Sequence, residues 1–271
     1  MIHRCVTLWK NIAVKLMHKK YDFIYSIGAD CASAMYMRKF YLRRASGPFD
    51  WLCHADFKTR IEMILTKFDG FLLSENMVML PRNTTGLHDA INDSWHDTKT
   101  GFYFYHDFEH SKDFAETFPL VREKYNRRIA RFYDNIEKYN RVLLIWYSQS
   151  YNTPDDVILG VCDKVCKKFN KQIDFIIIEN DESMPRNKIE TRQIADNIIR
   201  HAVYAIDETT PTLGNYKLID KIFSKIRIRG KTASIIRARA IKIFTHIFCC
   251  FIPSRESRHR LKERLSKWIQ R

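Results

Sequence analysis

Glycine and proline are scarce in this chain, at 8 and 7 of 271 residues. No Gly-rich phosphate loop of Walker or Rossmann type occurs, so ATP hydrolysis and nicotinamide chemistry have no sequence support. G-x-S-x-G and H-E-x-x-H are also missing, which removes the usual serine hydrolase and zincin readings. No apolar run reaches the roughly 20 residues of a membrane span; IFTHIFCCFI is short and follows Arg237, Arg239 and Lys242. Residues 1–20 interleave Lys and His with apolar side chains, which is not a signal-peptide h-region and reads as a short amphipathic helix. The seven cysteines, an odd number, fit a disulfide framework poorly and point to a reducing compartment. Cys162 and Cys166 lack a matching Cys/His pair at zinc spacing, and adjacent turns of one helix explain them. Neither a metal nor a cofactor is expected.

Acidic residues are nearly absent from one region. From Lys221 to Arg271 there are 15 Lys/Arg against only Glu256 and Glu263, so this segment carries +13 of the net +15. The remainder, with 31 bases against 29 acids, is an ordinary near-neutral surface. Within the tail, Ile236, Ala240, Ile243, Phe244, Ile247, Phe248 and Phe251 share one broad side. A second stripe of Leu261, Leu265, Trp268 and Ile269 follows Pro253, with Ser254 as a helix N-cap. Lys/Arg beside large apolar residues suits an amphipathic segment lying in an anionic membrane surface. Nucleic acid is the lesser reading, because the apolar stripe is too complete for a purely electrostatic arm. The tail resembles those of proteins of bacterial surface polysaccharide assembly. The expected location is therefore cytoplasmic, peripheral at the inner membrane face.

What the chain does contain is enough apolar and aromatic residue, 45% and 13%, to fold. The spacing divides it into an N-terminal helix (1–20), an α/β body (21–220) and the basic amphipathic helical tail (221–271). YDFIYSI reads as a buried strand feeding a turn at Gly28. A helix follows from Cys31 with Asp30 as N-cap. Residues 55–68 form a second helix, 71–80 one or two short strands, and 81–100 a long polar loop. GFYFYHDF is an aromatic strand ending at His106, and a long helix spans 113–139. Strand 142–148, helix 154–169 and strand 173–179 form a βαβ unit, which implies a layered sheet with flanking helices. Residues 192–205 form a helix or strand, followed by a loop at 209–214.

Strand, turn, cysteine and helix in YSIGADCASA form a mechanical arrangement. A cysteine at a helix N-terminus sits in the positive end of the macrodipole, which favours the thiolate. The first-turn N–H groups can receive an oxyanion. A packed, inert cysteine is the competing reading of this signal alone. Taken in order, IGADC, LRRASGPFDWL (42–52), YHDF (105–108) and YNRRIARF (125–132) resemble the recurring motifs of a bacterial family described as putative papain-like cysteine peptidases, over about residues 21–150. The resemblance implies Cys31 as nucleophile and His106 as general base. His88, His96 and His110 compete for the second role, and Asp107 or Asp50 would orient the imidazole. Gly28 and Trp51 would border the substrate. Arg127, Arg128 and Arg131 would clamp a carboxylate or phosphate on it, unless they form a solvated face paired with Glu123 or Asp134. The substrate would be a glycan, a lipid-linked precursor or a peptide, and the reaction hydrolysis or acyl transfer. The rival reading is a glycan-assembly transferase whose cysteine is structural.

Overall fold

Runs of branched and aromatic side chains at 23–26, 142–148, 174–180 and 198–203 form the parallel part of a five-stranded sheet. The structure, a computed structural model, describes residues 19–81 and 91–232 and the isolated positions 235, 236, 240 and 254. The expected N-terminal helix, His88 and the two tail helices lie outside the described residues.

In chain order the described elements are β1 (Lys20–Tyr21), β2 (Phe23–Ser26), α1 (Cys31–Lys39), β3 (Leu52–Cys53), α2 (Phe57–Leu65) and β4 (Met77–Met79). They continue with β5 (Asn92–Asp97), β6 (Phe102–Glu109), α3 (Phe114–Lys138), β7 (Val142–Ser148), α4 (Asp155–Phe169) and β8 (Asp174–Asn180). The last are β9 (Ile189–Ala195), β10 (Ile198–Val203), α5 (Tyr216–Phe223) and β11 (Arg227–Ile228). The large sheet has the order β2-β7-β8-β10-β9, with only β9 antiparallel to its neighbour. A second, antiparallel sheet has the order β3-β6-β5-β4.

The continuous apolar runs of β2, β7 and β8 follow from burial on both faces. Phe23, Tyr25, Leu144, Trp146 and Ile177 enter a core shared with α2, α3, α4 and the antiparallel sheet. Ile24, Leu143, Ile145, Tyr147 and Ile178 enter a second core with α1 and α5 on the opposite face. The layered α/β class expected from the pattern is the observed one.

Three details differ from the sequence reading. The polar stretch 81–100 contains β5, a strand despite its Asn and Asp residues, because it pairs on both sides with β4 and β6. The aromatic strand does not stop at His106 but runs to Glu109, with a register break opposite residues 93–95. Of the helix or strand expected over 192–205, the structure has strand: β9 and β10 pair as an antiparallel hairpin. The folded body also continues past residue 220, since α5 packs in the second core and β11 pairs with β1.

Candidate active site

Cys31 is the first residue of α1, and the Asp30 carboxylate accepts from the Ala32 N–H at 2.8 Å, as its N-cap position predicts. Ile27 and Ala29 extend the β2 ladder by donating to Ile145 and Tyr147 carbonyls at 2.8 and 2.9 Å. The turn into α1 therefore starts from the carboxyl ends of β2 and β7. Gly28 is required there by space: a Cβ would lie 2.5 Å from Ser33 Cβ and 3.2 Å from the Tyr147 carbonyl oxygen.

The surroundings of the thiol favour its protonated form. Burial pushes Cys31 up to about 12, the Asp30 carboxylate pushes the same way, and only the Cys31 amide N–H opposes them. Desolvation and a neighbouring negative charge thus work against the effect expected from the helix end. Asp30 is raised in turn to about 6 by its own burial.

A second cysteine stands against this turn. The Cys53 thiol is raised to about 12 by burial first and by Cys31 and Asp30 next, while Arg60 and the Cys31 amide N–H act in the opposite direction. Arg60 explains how the two segments meet. Its guanidinium is fully buried and one nitrogen, Nη2, donates to the carbonyls of Ala29 (2.9 Å), Leu52 (2.9 Å) and His54 (2.6 Å). The turn before Cys31 and the strand carrying Cys53 are thereby clipped to one cation. Burial lowers Arg60 to about 10, which leaves it charged at neutral pH. Its faces rest on Phe49 and Phe102 at 5.5 and 5.0 Å.

His54 follows directly and has φ +58, with Ala55 at φ +54. Two successive non-glycine residues in the left-handed region store backbone strain of the sort that concentrates at functional sites. The imidazole Nε2 lies 3.0 Å from the Tyr105 hydroxyl, and the ring packs edge-on to Tyr103 at 4.4 Å. Burial, followed by Arg60 and His96, holds its pKa below the ordinary histidine value, so the ring is neutral at pH 7. Sequence reasoning missed His54, Tyr105, Cys53 and Arg60. The HA pair after DWLC carried no spacing signal, and Arg60 looks like any helix arginine.

The expected site residues occupy two places. His106 is exposed on β6, its ring edge-on to the half-buried Trp51 at 5.8 Å. Asp107 accepts from the Tyr125 hydroxyl at 2.8 Å and pairs with Lys124; the register break in β6 turns it toward α3. Asp50 accepts from Arg43 Nε at 2.8 Å and from the Gly47 N–H at 3.0 Å, which ties up the 43–50 loop. Of the competing histidines, His96 stacks on Tyr103 at 4.3 Å and His110 Nδ1 lies 2.7 Å from the Ile91 carbonyl. Arg127, Arg128 and Arg131 line a cleft with Ser46 and Lys124.

An uncharacterized protein of Acanthamoeba polyphaga mimivirus is 29% identical over 133 residues, covering 44% of this chain and 59% of its own length. The chain thus spans just over half of that curated relative. No solved structure matches. The model of the family described as putative papain-like cysteine peptidase (DUF1796) matches residues 22–179, a span that runs from β2 into β8 and holds every candidate site residue named above, and the chain belongs to that family.

Proposed function

We propose that the chain is a cysteine hydrolase in which the Cys31 sulfur attacks an acyl carbon and His54 accepts the thiol proton. The observation that carries this reading is the Arg60 clip, which fixes the Cys31 turn and His54 to one guanidinium. A thiol held near 12 is protonated at rest, so it needs a base in the same step as attack, and a neutral imidazole with depressed pKa can serve. The S–C bond forms as the proton moves to the ring. Collapse of the tetrahedral intermediate returns that proton to the leaving group, and water then cleaves the thioester. His106, which the family resemblance favours, is the alternative base.

The test is acylation by p-nitrophenyl acetate followed by intact-mass and peptide mapping. A single acetyl adduct on Cys31, absent from Cys31→Ser, is the expected result. Loss of acylation in His54→Gln but not in His106→Gln identifies His54 as the base, and the converse pattern identifies His106. An adduct confined to the half-buried Cys166, with Cys31 untouched, overturns the reading.

The charge of residues 221–271 supports a second part of the proposal, action at an anionic membrane surface. The full chain should sediment with phosphatidylserine vesicles. Deleting residues 232–271, which spares β11, should release it. Persistence of binding in the deletion, or none in the full chain, rejects that part.

A further inference from the structure

On α3, Lys124 lies three and four residues before Arg127 and Arg128, and Arg131 lies four and three after them, so they share one face, and with Ser46 they line a cleft of about 710 Å³. Two of the four are balanced: Lys124 pairs with Asp107 and Arg127 with Glu123. The Arg127 pair is well exposed and screened, which makes it worth little. Arg128 and Arg131 have no ion pair among the described residues. Among the described residues, Arg128 Nη1 and Arg131 Nε are shut from solvent without a hydrogen-bond partner, although the Arg128 guanidinium rests over the Tyr125 ring at 5.1 Å. An orphaned charged donor is costly, and like charges three and four apart on one helix add to the cost. A helix face of this kind reaches its low-energy state when an anion is bound.

The opposite wall is built to stay in place. Arg43 Nη2 donates to Ser46 Oγ at 2.7 Å, and Asp50 holds both Arg43 and the Gly47 N–H. Gly47 lies so close to Tyr25 that a Cβ would come within 2.9 Å of the ring. The same Tyr25 hydroxyl donates to the Arg131 carbonyl at 3.3 Å and accepts from Asn135 Nδ2 at 2.8 Å. Tyr25 thus sets the distance between the Ser46 loop and the basic face.

We propose that this cleft is a binding site for a ligand bearing a diphosphate or two neighbouring phosphates. Seven residues of helix separate Lys124 from Arg131, about 10 Å of rise. A single carboxylate would engage one end of that row, whereas two phosphate groups answer both arginines that lack an ion pair and offer each a bidentate edge. The ligand could be a soluble diphosphate or a phospholipid headgroup, since the chemistry presented to the cleft is the same. The proposal rests on α3 and its facing loop, and does not depend on the chemistry of Cys31.

The test is calorimetric titration of the chain with pyrophosphate, inorganic phosphate and acetate at fixed ionic strength, with vesicles carrying phosphatidylinositol 4,5-bisphosphate as a second arm. Expected affinity runs pyrophosphate, then phosphate, then acetate. Arg128→Gln/Arg131→Gln should weaken pyrophosphate at least tenfold, and Arg128→Lys/Arg131→Lys by less. Arg122→Gln, exposed on the same helix outside the cleft, and Cys31→Ser should bind as the parent does. The basic tail is present in every variant, so its contribution cancels. A loss in the double glutamine variant confined to the vesicle arm keeps the site and names the lipid headgroup as its source. Equal binding by the parent and both double variants in both arms, or no binding of either probe, overturns the proposal. So does a tenfold loss in Arg122→Gln.

Discussion

Arg60 donates to the main-chain carbonyl of His54 at 2.6 Å through the same nitrogen that holds Ala29 and Leu52. A buried cation without a direct carboxylate partner is ordinarily a liability, and here its charge is spread over carbonyl dipoles and aromatic faces. The consequence is positional: the turn that ends at Cys31 and the strained residues after β3 cannot move independently while Arg60 is in place.

Arg60→Met removes the shared donor and leaves buried carbonyls without it. At roughly 1–3 kcal/mol for an orphaned polar group, the variant should lose about 3–5 kcal/mol of stability. Arg60→Lys, with one ammonium in place of the fork, should lose less. Urea unfolding measures both. A methionine variant as stable as the parent would show that the guanidinium is not a clamp.

Much of this architecture was readable from the residues, and the unread parts share a cause. β2, β7 and β8 stand out because burial on both faces demands uninterrupted apolar runs, and Asp30 before an apolar-periodic segment announced α1. β5 did not, because its buried residues include Ser94 and Asp97, and the Asp97 carboxylate accepts from the Leu72 N–H at 2.9 Å. A buried carboxylate satisfied by loop amides looks like a loop residue in the sequence. The same applies to the site. Cys31 was legible through local helix signals, but Arg60 in FKTRIEMIL has the appearance of a solvated helix charge. Its burial exists only once three segments close around it. His54 is distinguished by a backbone conformation and a tyrosine contact from β6, neither of which leaves a trace in spacing.

Tyr105→Phe isolates one of those contacts. The hydroxyl lost is 3.0 Å from His54 Nε2, and the ring that remains still fills its place. Stability should fall by about 1 kcal/mol, while Cys31 acylation slows about tenfold because the imidazole is no longer held in one orientation. If the rate is unchanged and only stability falls, the contact is structural and His54 does not act on the thiol.

His201 provides an acid-sensitive element remote from the candidate site. It is buried with Nδ1 2.8 Å from Thr191 Oγ1, and burial first, Lys225 second, depress it from 6.5 to about 3. Between those values the unfolded chain binds a proton that the folded chain refuses. Its contribution to stability is therefore complete above about 6.5 and is lost as pH falls toward 3. His201→Gln should flatten the acid limb of the stability curve by a few kcal/mol, measured by urea unfolding at pH 7.5, 5.5 and 4.5. Parallel curves for parent and variant would remove His201 from the account.

Asp30→Asn separates capping from charge at the nucleophile. Asparagine caps a helix about as well as aspartate, so the Ala32 N–H keeps its acceptor. What disappears is the negative charge that, after burial, raises the Cys31 thiol toward 12. The thiolate fraction at a given alkaline pH should rise, and iodoacetamide labelling of Cys31 at pH 8.5 should accelerate several-fold. Stability should respond with its own pH signature. Asp30 titrates near 6 in the folded chain against 3.8 as its ordinary value, so folding resists its ionisation. The folded state binds the extra proton between those values, which means Asp30's contribution is full below about 3.8 and lost as pH rises through about 6. The asparagine variant should therefore match the parent near pH 4 and exceed it by about 1–2 kcal/mol above pH 7. Slower labelling of Cys31 in the variant, or a stability loss that grows with pH, would show that the carboxylate supports the thiol rather than restraining it.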